Sequence, residues 1–290
     1  AQRGCERMPY DFEHGNGTEA NPYQIWNQTD LEGIRDVDSG GQPNYFGKYY
    51  IQMANIELDG YSSCPELVKG GYDGNNFSIS YLEQSFIKNI EGSYVKNITF
   101  IRPLIITSNF KSGIFESVTM YNRDVKSVLK DIRVLYGVAY GVDYVGMIAG
   151  EIFGTDVSDC FVLGCQIEGE YSVGGMFGLV SPDGWENRSI ISNCVVQAAV
   201  DGTTYVGGFA GEIRDSFVEK CGVEVFLVVG DSYVGGFVGY SNDSVIKDCY
   251  AYATELDIPI PPEFPPKGTV YGDSYVGGFS GMVTEAPPVA

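Results

Sequence analysis

The sequence predicts an all-β chain folded as a right-handed parallel β-helix, a β-solenoid of about seven coils, with an N-terminal capping helix. Three observations predict it. A glycine-rich heptapeptide recurs five times, a second apolar column recurs between its copies, and short stretches of alternating apolar and polar residues fill the rest of each unit. Repeats of this kind belong to folds in which each unit buries its inner face only by stacking on its neighbours.

The heptapeptide reads Tyr144-Val145-Gly146-Met147-Ile148-Ala149-Gly150, then Ser172-Val173-Gly174-Gly175-Met176-Phe177-Gly178. It returns from Tyr205 to Gly211, from Tyr233 to Gly239 and from Tyr275 to Gly281. The valines are 28, 33, 28 and 42 residues apart, so the unit is 28 residues with insertions in two copies. The second column places Cys160, Cys194, Cys221 and Cys249 in line, with Ile98 and Ile132 upstream in Lys96-Asn97-Ile98 and Lys130-Asp131-Ile132. Segments such as Cys160-Phe161-Val162-Leu163 alternate at the strand period, and Gly, Asp and Asn punctuate them as turns. A unit of this length is too short for a propeller blade and lacks a helical period. At the N-terminal end, Thr29-Asp30-Leu31-Glu32-Gly33-Ile34-Arg35-Asp36-Val37 has apolar residues at helical spacing. Thr29 and Glu32 are placed to form a capping box. A helix there covers strand edges that a bare first coil would expose. The domains read as 1–44 for the arm and cap, 45–283 for the β-helix and 284–290 for a Pro-containing tail or linker.

Composition narrows the function. The net charge is -20, which excludes nucleic acid, whose phosphates need a basic face. No run of 18 apolar residues occurs, so no membrane insertion is expected. The chain opens on Ala1, as a processed N-terminus would. Asn-x-Ser/Thr triplets begin at Asn16, Asn27, Asn76, Asn97, Asn187 and Asn242, which as a set fits an exported glycoprotein. Asn, Ser and Thr also share turn positions with Gly, which gives the same triplets a purely structural reading.

Gly-Gly-x-x-Gly is not read as a dinucleotide loop, because it recurs with no helix after it. The cysteine column reads as small buried core residues, since neither Cys-x-x-Cys nor a histidine partner accompanies it, His14 being the one histidine. Cys5 and Cys64 stand outside the column and are placed to form a disulfide in an oxidising compartment. Three residues before each repeated valine stand Val142, Glu170, Thr203, Asp231 and Asp273, a partly acidic rim without Arg, Lys or His. Calcium is the one ion such a rim invites, and no other cofactor is expected. Two insertions are candidate binding loops, Ser181–Ser189 with Trp185 and the Pro-rich Ile258–Lys267 with Phe264.

The Val-Gly-Gly-Phe-x-Gly copies resemble GLUG motifs, found in adhesins and in the non-catalytic region of IgA-specific metallopeptidases. Gly71-Tyr72-Asp73-Gly74-Asn75-Asn76-Phe77-Ser78-Ile79 is similar to the turn-strand that accompanies them in bacterial and archaeal surface proteins. The resemblance spans residues 12–283 and implies an extracellular, surface-displayed β-helix without naming a ligand. The expected function is structural and not enzymatic: a subunit of a filament, sheath or surface layer, assembled by end-to-end or lateral contacts. The expected partners are other copies of the chain, other surface proteins or glycans. The alternative is an adhesin or a phage or viral attachment module that binds glycan or protein through side loops. A polysaccharide-active enzyme is the third reading, and a groove with clustered carboxylates would support it.

Overall fold

The computed structural model describes residues 10–61, 64–108, 110–184, 187–225, 227–253 and 269–284. Nearly all of its regular structure is β, and every pairing between coils is parallel. The strands form three sheets of 19, 8 and 6 strands among the described residues. The chain winds repeatedly through a long face, a short face and a third face, the order of a parallel β-helix. The third face stacks eight strands, from Cys64–Val68 to Ser280–Thr284, giving eight coils with a third-face strand instead of about seven. The first of these coils carry no heptapeptide and escape a count based on it.

One inward column shows the register. Tyr23, Tyr50, Tyr72, Val95, Leu129, Val157, Ile191, Val218 and Ile246 pair level by level up the long face. Strand pairing therefore already begins at Tyr23. Beside it runs the predicted second column. Ile98, Ile132, Cys160, Cys194 and Cys221 are buried, Cys249 is half-buried, and all five described cysteines of this half, Cys165 included, are free thiols. The residue before each column member bends the strand. Asn97, Asp131, Asp159, Asn193, Lys220 and Asp248 all have φ between 48° and 59°. Asn and Asp tolerate this left-handed conformation better than other side chains.

The heptapeptide forms the short face and the corner into the third. Its valines stack inward as Val145, Val173, Val206, Val234 and Val276. Its glycines are required by space. A Cβ on Gly174, Gly207 or Gly235 would lie 2.1 Å from the carbonyl oxygen of Phe177, Ala210 or Val238. The short-face strand thus packs backbone against backbone on the third-face strand. Inside the corner Phe209, Phe237 and Phe279 stack at 4.7 and 4.8 Å with interplanar angles of 5° and 3°.

The cap differs from the expectation in detail. The helix runs Gln28–Gly33, and its N-cap is Asn27, not Thr29. Asn27 Oδ1 accepts from the Asp30 amide at 3.0 Å, while Asp30 reaches back to the Trp26 amide at 2.9 Å. Glu32 instead accepts from Gln28 and pairs with Arg35. The chain leaves the strand Tyr23–Ile25 in extended conformation, so the first residue able to cap is Asn27, two positions earlier than the periodicity suggested.

Candidate interaction groove

After a second bend, at Arg102 and Tyr136 with φ of 52° and 58°, the long face carries two surface columns. Leu104, Val138, Gln166, Ala199 and Leu227 form one; Ile106, Tyr140, Glu168, Asp201, Val229 and Tyr271 form the other. Between them lies a groove of about 330 Å³ lined by Ile106, Val138, Tyr140, Glu168, Ala199, Asp201 and Leu227 among others. Its depth comes from Ala199, the smallest side chain in its column. Its lower end is apolar and open to solvent, Ile106 being 62% exposed, and Leu104 just outside it is exposed as well. A cluster of this kind on a water-facing sheet marks a contact surface more often than a lone exposed leucine does. Its upper end is acidic, because Glu168 and Asp201 are in-register neighbours one coil apart. Burial raises the Asp201 carboxyl pKa above the usual range, and the charges of Glu168 and Asp231 push it the same way. No Lys or Arg lines the groove, and among the described residues none pairs with Glu168, Asp201 or Asp231.

A second hollow of about 710 Å³ beside the cap is lined by Tyr10, Glu13, His14, Trp26, Asn27 and Asp30. Asp30 there is already engaged, taking bonds from the Tyr10 hydroxyl and the Trp26 amide. At the heptapeptide corner, Glu212 is buried between Ser172 and Arg214, and Glu151 between Lys111 and Ser117. These carboxylates are compensated where they lie and hold coils together.

The residues singled out from sequence fall in several places. Of the six Asn-x-Ser/Thr asparagines, Asn16, Asn27 and Asn76 are exposed. Asn97 donates through Nδ2 to Asp73 at 2.9 Å, Asn187 through Nδ2 to the Arg123 carbonyl at 3.3 Å, and Asn242 accepts from Thr284. These three are half-buried, Asn97 and Asn242 in strands and Asn187 at a loop bridge. Cys5, Trp185 and Phe264 lie outside the described residues, as does the Cys64 side chain, so the disulfide and both loop tips do too. The acidic rim does stack: the Thr203 amide bonds the Glu170 carbonyl, Asp231 that of Thr203, and Asp273 that of Asp231. Among the described residues no group of three or more His, Cys, Asp or Glu is arranged to hold a metal. No described helix is long and apolar enough to cross a membrane.

The groove itself was not anticipated. Its outward columns repeat no residue type, so self-similarity, the signal that revealed the inner ladders, is silent there. Only laying the coils in register brings Glu168 and Asp201 together. They sit two residues before the rim residues Glu170 and Thr203.

Fold and ladders define a parallel β-helix whose heptapeptide glycines form the corner of each later coil. Residues 230–254 match the family described as the GLUG motif. The chain is also similar to a solved structure described as a candidate immunoglobulin A1 protease from Bacteroides ovatus. The TM-score is 0.57 and the identity 18%, over 92% of this chain and 87% of that one. At that identity the likeness concerns the fold. No curated protein matches the chain.

Proposed function

We propose that the protein is an exported, surface-displayed β-helix that works by contact, without turnover, as a structural subunit of a surface assembly. The observation that carries the reading is the long-face groove, which joins an open aliphatic end to two stacked carboxylates without a cationic partner among the described residues. Such a surface is costly to leave bare and is complemented by a protein segment that is both apolar and basic. The GLUG motif supports the extracellular setting. Three water-accessible Asn-x-Ser/Thr asparagines at the N-terminal end fit a glycoprotein whose modification leaves the groove clear.

The test adds purified protein, wild type or with Ile106→Ser plus Asp201→Arg, to envelopes isolated from the producing cells and measures the fraction retained. Loss of retention in the variant is the expected result, and equal retention would overturn the reading. Because Glu168 and Asp201 are also a carboxylate pair of the kind glycosidases use, the same protein is incubated with polysaccharides. Release of reducing ends, abolished by Asp201→Asn, would replace contact with catalysis.

End-to-end assembly is a second reading, favoured by a different observation. On the last described coil Tyr275 stacks on Tyr233 at 4.7 Å, with an interplanar angle of 3°. Tyr275, Val276, Phe279 and Val283 there are exposed. A further coil, of this chain or of another, would continue both ring stacks. Filaments with an axial repeat of one solenoid length in negative-stain electron microscopy would favour this reading over lateral contact.

A further inference from the structure

The groove has a complement on the same molecule. Two loops leave the corner between the third and long faces, residues 120–127 and 182–189, each closed by an antiparallel bridge. They touch across one intervening coil: Asn187 Nδ2 donates to the Arg123 carbonyl and Lys126 Nζ donates to the Arg188 carbonyl at 3.2 Å. In the first loop the Tyr121 amide bonds the Val125 carbonyl at 2.9 Å and the Val125 amide returns to Tyr121 at 3.2 Å. The loop is therefore pre-shaped, and it presents the exposed side chains of Arg123 and Val125 together. Val125 is 44% exposed.

Arg123 stands out in its charge environment. The chain has 38 Asp and Glu against 18 Lys and Arg. Eleven of the described basic side chains sit in ion pairs, and Lys48 and Lys69 sit over tyrosine rings. Arg102 and Arg123 alone among the described ones have neither. Arg123 is the one that also lies beside an exposed aliphatic side chain on a closed loop, joining an apolar group that suits the groove's aliphatic end to a positive charge that suits its acidic end.

We propose that the groove receives residues 121–126 of a second copy of this chain, with the Arg123 guanidinium at the Glu168 and Asp201 carboxylates and Val125 against Ile106 and Val138. The loop enters the long-face strand at 128 and the groove begins after the bend at 136–137, so the two sites lie at opposite edges of that face. A neighbour placed alongside brings its loop to this groove while its own groove faces the next copy. Such a contact is heterologous and does not close, so it builds rows. The proposal rests on the contact reading above and names its partner. Asp124, exposed between the two contacting residues, opposes the association.

Sedimentation velocity across concentration tests it, with four proteins: wild type, Arg123→Glu, Asp201→Arg and the double variant. Wild type is expected to form concentration-dependent oligomers that dissociate in about 0.5 M sodium chloride, where surface charges are screened. Each single reversal should weaken association by on the order of a hundredfold, and the double variant, whose charges again match, should recover it. Asp124→Asn should strengthen it. Oligomers unaffected by either reversal, single variants without rescue in the double, or a wild type that stays monomeric throughout would each overturn the proposal. A monomeric wild type whose groove variant still loses retention on cell envelopes would leave the contact reading standing with a different partner. Retention unaffected by the groove variant would remove both.

Discussion

The N-terminal and C-terminal coils solve the same packing problem in opposite ways. From Ser172 onwards each coil carries the glycine pair, and two strands touch backbone to backbone at the corner. Between Tyr49 and Thr119 the motif is absent. There Tyr61, Tyr72, Phe86, Phe100 and Phe115 fill the interior, with Phe86 at 5.2 Å from Tyr72 and 5.3 Å from Phe100. Long-face levels are 22 and 23 residues apart there, against 27 and 28 further along. The first region relies on varied aromatic side chains, and the second on repeated ones together with a corner where side chains are absent. An interior must be filled to crystal-like density, but a parallel sheet does not prescribe which atoms fill it.

The largest expected effect falls in the aromatic coils. Phe86→Ala removes a fully buried ring touching four others and should cost about 3–5 kcal/mol. A denaturant titration following tyrosine fluorescence would measure it, and a cost below about 1 kcal/mol would mean these coils repack freely.

In the glycine coils the corresponding change is an addition. Gly236→Ala places a methyl 2.1 Å from the Gly278 carbonyl oxygen and should cost about 1–3 kcal/mol or more. Gly278→Ala, the same motif position one coil on, meets nothing within 4 Å and should be near neutral. Equal costs at the two positions would show that another coil sits on the last described one.

The cysteine column turns the comparison into a question of cooperativity. Burial raises the Cys165 thiol to about 11, and Cys194 well above the usual range, so neither should react with an alkylating reagent in the folded chain. Labelling, read by mass spectrometry, therefore reports opening of the glycine coils. If Phe86→Ala accelerates it, the two regions open together; if labelling stays slow, they are separate units of a quasi-linear stack.

The smallest effect is at Asp201. Its folded pKa is raised, so the folded state binds more protons than the unfolded one in the range just above the ordinary aspartate value. Stability contributed by protonation is present at low pH and is lost as pH rises through the folded pKa. Asp201→Asn should thus raise the thermal midpoint at neutral pH, and the gain should vanish below the usual aspartate range. A gain that persists at low pH would point to the changed amide rather than to charge.

How much was legible follows from what repeats. The inner ladders announce themselves because burial restricts each inward position to a narrow set of residues, so Val145 to Val276 and Cys160 to Cys249 align by eye. Asn or Asp stands before five of the six column members, since the bend selects it, and Lys220 is the exception. The helix cap slipped by two residues because Asn27 and Thr29 are both good caps, and only the exit angle of the preceding strand chooses between them. The groove was hidden for the converse reason. Ile106, Tyr140, Glu168, Asp201 and Val229 face water, where nothing forces them to resemble one another. The meeting of Arg123 with Asn187 was hidden because it joins two insertions 64 residues apart.

The parallel register also has a mechanical consequence. The strand ladders join each coil only to the one before and the one after, so tension applied at the two ends loads the ladders one at a time. Pulled in a single-molecule experiment, the solenoid should peel as a sawtooth, each tooth releasing one coil of thread. Levels spaced by 22 to 42 residues correspond to teeth of about 8 to 15 nm. The order of tooth lengths would then read out which end lets go first.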